Sequence, residues 1–364
     1  MPLKVLISGN EAIGEGAIQA GCTFYAGYPI TPQNELTAYM AKMMSEIGGT
    51  FIQAESELAA INMVFGASAA GARAMTSSSS PGISLKQEGI SYLVGCELPA
   101  VIVNMMRAGP GLGNITPAQG DYFQATKGGG HGDYYLIVFA PNSVEEAFEL
   151  QKQAFDLADR YRNPVLILGD GILGQMMEAI TINSQSQRTS LRSKQLTTNS
   201  QKHWALTGCK NRQPNIIRSL FLKEGVLEKH NKKLQKKFAE MQEKEVRYEK
   251  INIEDAEVIL IAYGTMSRIC RGAMQRARKQ GIKIGLIRPI SLWPFPYSVI
   301  KEMACLNKRF LVVEMSYGQM VEDVRLAVEG KSKVDFYGRG GGVIPQEKEI
   351  LQKINQISKC KLKT

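Results

Sequence analysis

The sequence is poor in the residues that build metal centres. Six cysteines, at 22, 96, 209, 270, 305 and 360, stand apart with no CxxC spacing, and the three histidines, 131, 203 and 230, are equally dispersed. That spacing supports neither a zinc site nor an iron–sulfur cluster held by this chain alone, so the cysteines read as reduced, structural thiols. Long apolar runs are missing too. No stretch approaches the roughly 18 uninterrupted apolar residues of a membrane-spanning helix, and MPLKVLISGN at the start lacks the basic opening, apolar centre and cleavage site of a signal peptide. A cytoplasmic chain with no membrane contact is expected. Nucleotide signatures are absent as well: no Walker A run occurs, and Gly14, Gly16 and Gly21 follow a strand without the dinucleotide spacing. A nicotinamide-dependent oxidoreductase therefore lacks its fingerprint, and a nucleic-acid-binding protein lacks aromatics interleaved with its basic residues.

What is present is enough for two domains. The 364 residues are 44% hydrophobic, and domains run to roughly 150 residues each. The charge is unevenly divided. Residues 1–183 hold 9 Lys and Arg against 17 Asp and Glu, residues 184–253 hold 16 against 6, and residues 254–364 hold 19 against 11. The basic excess thus sits in the middle and the C-terminal part, where it suits docking on an acidic surface such as a partner subunit or a small electron carrier.

Periodicity within 1–183 alternates between strand and helix. LKVLISG reads as a buried strand, CTFYAGYP as the next, and TPQNELTAYMAKMMSEIG as a helix with Thr31 as its N-cap and Pro32 at its first position. Further strands are expected at Phe51–Ile52, in LPAVIVNMMR, in DYYLIVFAP and in NPVLILGD, separated by apolar helices. The succession predicts a doubly wound parallel sheet covered by helices. Residues 184–253 lose the pattern except for one amphipathic helix marked by Leu227, Leu234, Phe238 and Met241, and read as a connector. Residues 254–364 resume it in AEVILIAYG, IKIGLIRP, RFLVVEMS and KVDFYGR, a smaller α/β domain.

Three side chains stand where a parallel sheet presents ligands, beyond the carboxyl ends of its strands. Glu57 opens an apolar helix, Arg107 ends a strand, and Thr31 sits between two prolines at a strand-to-helix junction. Each alone has a structural explanation: a carboxylate is favoured at a helix N-terminus, an arginine after a strand can be solvated, and a threonine caps. Together they form a candidate cluster of one carboxylate, one cation and one hydroxyl.

At these residues the chain resembles a known family. YPITPQ, ESELAAINMVFGASAAG, TSSSSPGISLKQEGISYLVGCELPAVIVNMMRAGPG and QGDYFQATKGGGHGDY, followed by YGTMSRICRGAM and GLIRPISLWPFP, are similar in order and length to the alpha subunit of 2-oxoacid:ferredoxin oxidoreductases. The resemblance is closest to the branch acting on 3-methyl-2-oxobutanoate, with 2-oxoglutarate as the rival substrate and a catalytically silent scaffold subunit as the other alternative. It implies a thiamine diphosphate pyrimidine-binding domain in 1–183 and a transketolase C-terminal-like domain in 254–364. Glu57, with Tyr28 and Pro29, would meet the cofactor; Thr31 and Arg107 would meet the oxoacid, the arginine at its carboxylate and the threonine at its carbonyl. It further implies a beta subunit carrying the diphosphate, its Mg2+ and an iron–sulfur cluster, a gamma subunit, a small ferredoxin-like subunit with more clusters, and soluble ferredoxin and coenzyme A as co-reactants. The triplet Gly169-Asp170-Gly171 copies the start of a diphosphate signature without its paired asparagine and reads as a strand-end turn.

Overall fold

In the computed structural model the described residues are 3–182 and 202–360. The first stretch gives β1 (Leu3–Ser8), α1 (Gly9–Gln19), β2 (Phe24–Gly27), α2 (Asn34–Ile47), β3 (Thr50–Gln53), α3 (Glu57–Ala69), β4 (Ala74–Ser78), α4 (Ser80–Gly95), β5 (Val101–Met106), α5 (Tyr122–Thr126), β6 (Ile137–Phe139), α6 (Val144–Tyr161), β7 (Val165–Asp170), α7 (Gly171–Gln175) and β8 (Met177–Ile182). The second gives α8 (Val226–Lys244), β9 (Tyr248–Ile251), β10 (Val258–Ile261), α9 (Gly264–Lys279), β11 (Ile284–Pro289), β12 (Ser291–Trp293), α10 (Tyr297–Cys305), β13 (Arg309–Glu314), α11 (Met320–Val328), β14 (Val334–Gly338) and α12 (Glu347–Cys360).

The larger sheet has the order β12-β6-β7-β5-β4-β2-β3, parallel except for β12. Its central strands β4, β5 and β7 are buried along their whole length, as strands covered on both faces must be. Helix α1 packs on α2 and α6, and α3 packs on α4, giving two helical groups around the sheet. The smaller sheet, β14-β13-β10-β11-β9, is parallel except for β9.

Three expectations change. The first strand is not part of the parallel sheet: β1 pairs antiparallel with β8 alone, and Leu3 and Leu6 are exposed. Helix α2 does not start at Pro32. Residues 30–33 form a turn closed by Gln33 N–H to the Ile30 carbonyl at 3.1 Å, so helical register begins at Asn34, with Gln33 rather than Thr31 at the cap. The connector helix is present and buries Leu234, Phe238 and Met241, but Leu227 faces solvent; the polar run at 184–201 falls outside the described residues.

The two α/β units are locked together. Strand β12 follows β11 of the smaller sheet yet pairs with β6 of the larger one, and Trp293 on it stacks on Tyr135 at 4.7 Å while Phe238 of α8 meets both edge-on. Asp323 on α11, almost fully buried, accepts from Tyr122 at 2.6 Å, Tyr297 at 2.5 Å and Lys127 at 2.5 Å. Gln119 is wholly buried at the junction: its backbone and side chain bond Met315 in both directions, and its amide donates to the Tyr263 carbonyl.

Candidate active site

Strands β2, β4 and β5 run parallel and end on the same side, so the segments leaving them meet there. Beyond β2 the chain passes the half-exposed Tyr28 and then Pro29 to a cis Thr31–Pro32 bond. A buried hydroxyl network anchors this bend to the sheet. Gln33 donates to the Tyr28 carbonyl at 3.3 Å and accepts from Thr37 at 3.0 Å and Ser77 at 2.6 Å, and Tyr25 joins both hydroxyls. Pro32 is held from below by Asn10, whose amide donates to its carbonyl at 2.8 Å.

Arg107 follows β5 and is only 7% exposed. It donates from Nη1 to the Thr31 carbonyl at 3.2 Å and from Nη2 to the Leu112 carbonyl at 3.1 Å; its buried Nε has no partner among the described residues. Thr31 and Arg107 are thus directly joined, and the Thr31 hydroxyl accepts from Asn34 at 3.2 Å. Below the arginine, Ser80 at the start of α4 accepts from the Arg107 N–H at 3.0 Å and donates to Asp121 at 2.5 Å, and Asn104 also donates to Asp121. Burial pushes the Asp121 carboxyl above its ordinary range, against the pull of those two bonds.

Glu57 comes from the other side. Ser56 caps α3 by accepting from the Ala59 N–H at 3.1 Å, and Glu57 is the first helical residue, 6% exposed. Its side chain lies over Gly82 of α4: a methyl group there would come within 2.5 Å of Glu57 Oε1 and fall on Ser78 Oγ. Gly82 is two residues from Ser80, so α4 carries the carboxylate near its first turn and the arginine's support at its first residue. Ser78, which ends β4, and Ser79, which precedes α4, present buried hydroxyls with no partner among the described residues. The predicted residues Glu57, Thr31 and Arg107 therefore occupy one end of one sheet.

Sequence reasoning missed Gly82, Ser78, Ser79, Asp121 and above all Lys86. This lysine is completely buried on α4 and its Nζ donates to the Glu57 carbonyl at 3.3 Å. A signal was available: Ile83, Lys86 and Ile90 follow helical spacing, which places the lysine in an apolar stripe. Asp170 also does more than end a strand. It caps α7 by accepting from the Ile172 and Leu173 N–H groups and bonds Thr265 of the smaller unit, while burial pushes its carboxyl up. Among the described residues no group of three or more His, Cys, Asp or Glu is placed to hold a metal ion, and no helix is long and apolar enough to cross a membrane.

A doubly wound parallel sheet joined to a smaller α/β unit is the architecture of a class of thiamine-diphosphate-binding proteins, and the matches place the chain there. The thiamine-diphosphate-binding family of pyruvate flavodoxin/ferredoxin oxidoreductases matches residues 15–250, and core domain II of pyruvate:ferredoxin oxidoreductase matches residues 256–350. The chain belongs to the 2-oxoacid:ferredoxin oxidoreductase family, as a subunit. It is 49% identical to the ketoisovalerate oxidoreductase subunit VorB of Methanothermobacter thermautotrophicus, over 97% of both chains. A solved structure of the 2-oxoglutarate:ferredoxin oxidoreductase from Magnetococcus marinus, with 2-oxoglutarate, coenzyme A and succinyl-CoA bound, superposes with a TM-score of 0.83 at 26% identity, covering 97% of this chain and 65% of that one. A split-gene transketolase shares the fold alone, with a TM-score of 0.58 at 14% identity over 96% of this chain and 98% of that one.

Proposed function

We propose that this chain is the alpha subunit of an enzyme that oxidatively decarboxylates 3-methyl-2-oxobutanoate, or a closely similar branched 2-oxoacid, to the acyl-CoA and passes the electrons to ferredoxin. The observation that carries the reading is the meeting of Glu57, Thr31 and Arg107 at one sheet end, with Thr31 and Arg107 bonded. Likeness to the ketoisovalerate subunit supports the branched substrate.

The residues fit the aminopyrimidine half of thiamine diphosphate. Glycine at 82 leaves the Glu57 carboxylate room, and the hydroxyls of Ser78 and Ser79 and the Arg107 Nε offer bonds that no described residue takes. When bound, the cofactor supplies a nucleophilic carbon for the oxoacid carbonyl and an electron sink for the loss of carbon dioxide. Glu57 would hold a proton at the pyrimidine ring nitrogen, with Tyr28 and Pro29 flanking the ring. Arg107 spends one N–H on Thr31 and one on Leu112, so three of its five remain for a substrate carboxylate. Thr31 would donate to the oxoacid oxygen as negative charge develops on it, a contribution of roughly 3 kcal/mol for one well-placed donor. The diphosphate, Mg2+ and iron–sulfur clusters are assigned to beta and ferredoxin-like partner subunits, and the basic C-terminal part of the chain suits an acidic electron carrier.

The test is to purify the complex from its native source, identify the subunits that co-elute, and follow viologen reduction with coenzyme A across a panel of oxoacids. Branched oxoacids should have the highest kcat/KM; preference for 2-oxoglutarate would transfer the chain to the rival substrate. Glu57→Gln should abolish turnover, and Arg107→Ala should raise KM for the oxoacid. A Glu57→Gln complex with full turnover would remove Glu57 from its assigned role.

A further inference from the structure

Lys86 lies in the contact between α3 and α4 with none of its surface exposed. Lysine is almost never buried to this extent unless something offsets its charge. Here Nζ donates to the main-chain oxygen of Glu57 at 3.3 Å, and the Glu57 carboxylate acts on the ammonium through space. Gly82, one helical turn before Lys86 on the same face, is where the Glu57 side chain lies. Glu57 thus meets α4 twice, with its side chain at Gly82 and with its carbonyl at Lys86.

Few other charges reach this spot. Of the elements packed on α4, α3 brings Glu57 at its first turn, β4 (Ala74–Ser78) and β5 (Val101–Met106) bring only neutral side chains, and Asp121 lies at Ser80 at the helix start. Burial pushes the Lys86 ammonium down to about 8, while Glu57 pulls the other way. An anchor between two helices has no need of this charge, since a methionine of similar length fills the same stripe without desolvation cost.

Resting on the role assigned to Glu57 above, we propose that Lys86 is a positioning residue for that glutamate: it pins the first turn of α3 through the Glu57 carbonyl and sets a balancing positive charge beside the carboxylate. The carboxylate is then held in one orientation where the aminopyrimidine would meet it. Loss of the Lys86 proton removes the balancing charge, and loss of the side chain removes both effects.

The experiment compares wild type, Lys86→Met and Glu57→Gln in the assembled complex. Lys86→Met should lower kcat by about tenfold to a hundredfold, the scale for losing a group that orients a functional side chain, and leave the oxoacid KM within about twofold. The wild-type kcat should fall on the alkaline side near pH 8, where Lys86 loses its charge, and the variant should lack that limb. Melting without added cofactor supplies a readout independent of turnover: Lys86→Met should melt above wild type at pH 7, with the gap closing as pH rises past 8. An unchanged kcat in Lys86→Met overturns the inference, as does a lowered kcat whose alkaline limb persists or a melting gap independent of pH. Failure of Glu57→Gln to lose activity overturns the parent assignment instead, so the two failures are distinct.

Discussion

At the scale of single residues the site is defined by what is left out as much as by what is present. Gly82 has no side chain, and the Glu57 carboxylate occupies the space. Gly82→Ala should therefore displace Glu57 and lower cofactor affinity and turnover, although alanine is the better helix former by roughly 0.5–1 kcal/mol. Gly66→Ala is the control, because a methyl group at Gly66 meets nothing within 4 Å and should leave activity intact. Equal activity in the two variants, measured with the same complex, would mean Glu57 moves freely and is not held by α4. The sign of the Lys86 effect on stability follows from linkage. Its pKa falls from 10.5 to about 8 on folding, so the unfolded chain binds the proton more tightly between those values and stability rises with pH across that window. Below pH 8 the folded chain carries the whole penalty, about 3 kcal/mol for a displacement of this size. The placement of Glu57 at a helix start and of Arg107 just after a strand was legible in the sequence, whereas Thr31 lies in the turn between β2 and α2. Lys86 was not legible, because a helical stripe announces burial while the neighbour that gives the burial meaning is 29 positions away.

At the scale of elements, the period of each segment was readable and its partner was not. β4, β5 and β7 are buried throughout and lie at the sheet centre. β1 also reads as a buried strand, yet it pairs with β8 outside that sheet, since pairing is decided by tertiary context. The start of α2 shows the same limit. Thr31 and Pro32 have the chemistry of a helix start, but the Thr31 carbonyl is taken by Arg107 and the turn at 30–33 delays the helix. Gln119 is a case where the partner is everything. Gln119→Ala should strip the Met315 N–H and the Tyr263 carbonyl of their buried partners and cost about 2–5 kcal/mol. Chemical denaturation should show the loss, and a change under 1 kcal/mol would mean that water replaces both bonds.

At the scale of the whole molecule, sequence periodicity suggested a large domain, a connector and a small domain, with divisions at 183 and 253. The strand exchange argues for a tighter unit. β12 belongs in sequence to the small unit and in space to the large sheet, where it covers the edge at β6, and Trp293 closes an aromatic cluster with Tyr135 and Phe238. No periodicity marks a strand of three residues, which explains why Ser291–Trp293 was illegible. Arg288, just before it, adds a second tie: it bonds both carboxylate oxygens of Glu146 on α6 at 2.8 and 2.9 Å and Glu249 at 2.9 Å. A fragment ending at residue 253 would retain Glu146 and Glu249 without their arginine, β6 without its edge neighbour, and Phe238 without Trp293. A bare apolar edge strand is a template for association. Such a fragment should elute as aggregate and bind a hydrophobic dye, whereas coexpression with residues 254–364 should restore a species matching the intact chain by circular dichroism. A monomeric 1–253 fragment with a cooperative melt would show instead that the large sheet closes its own edge.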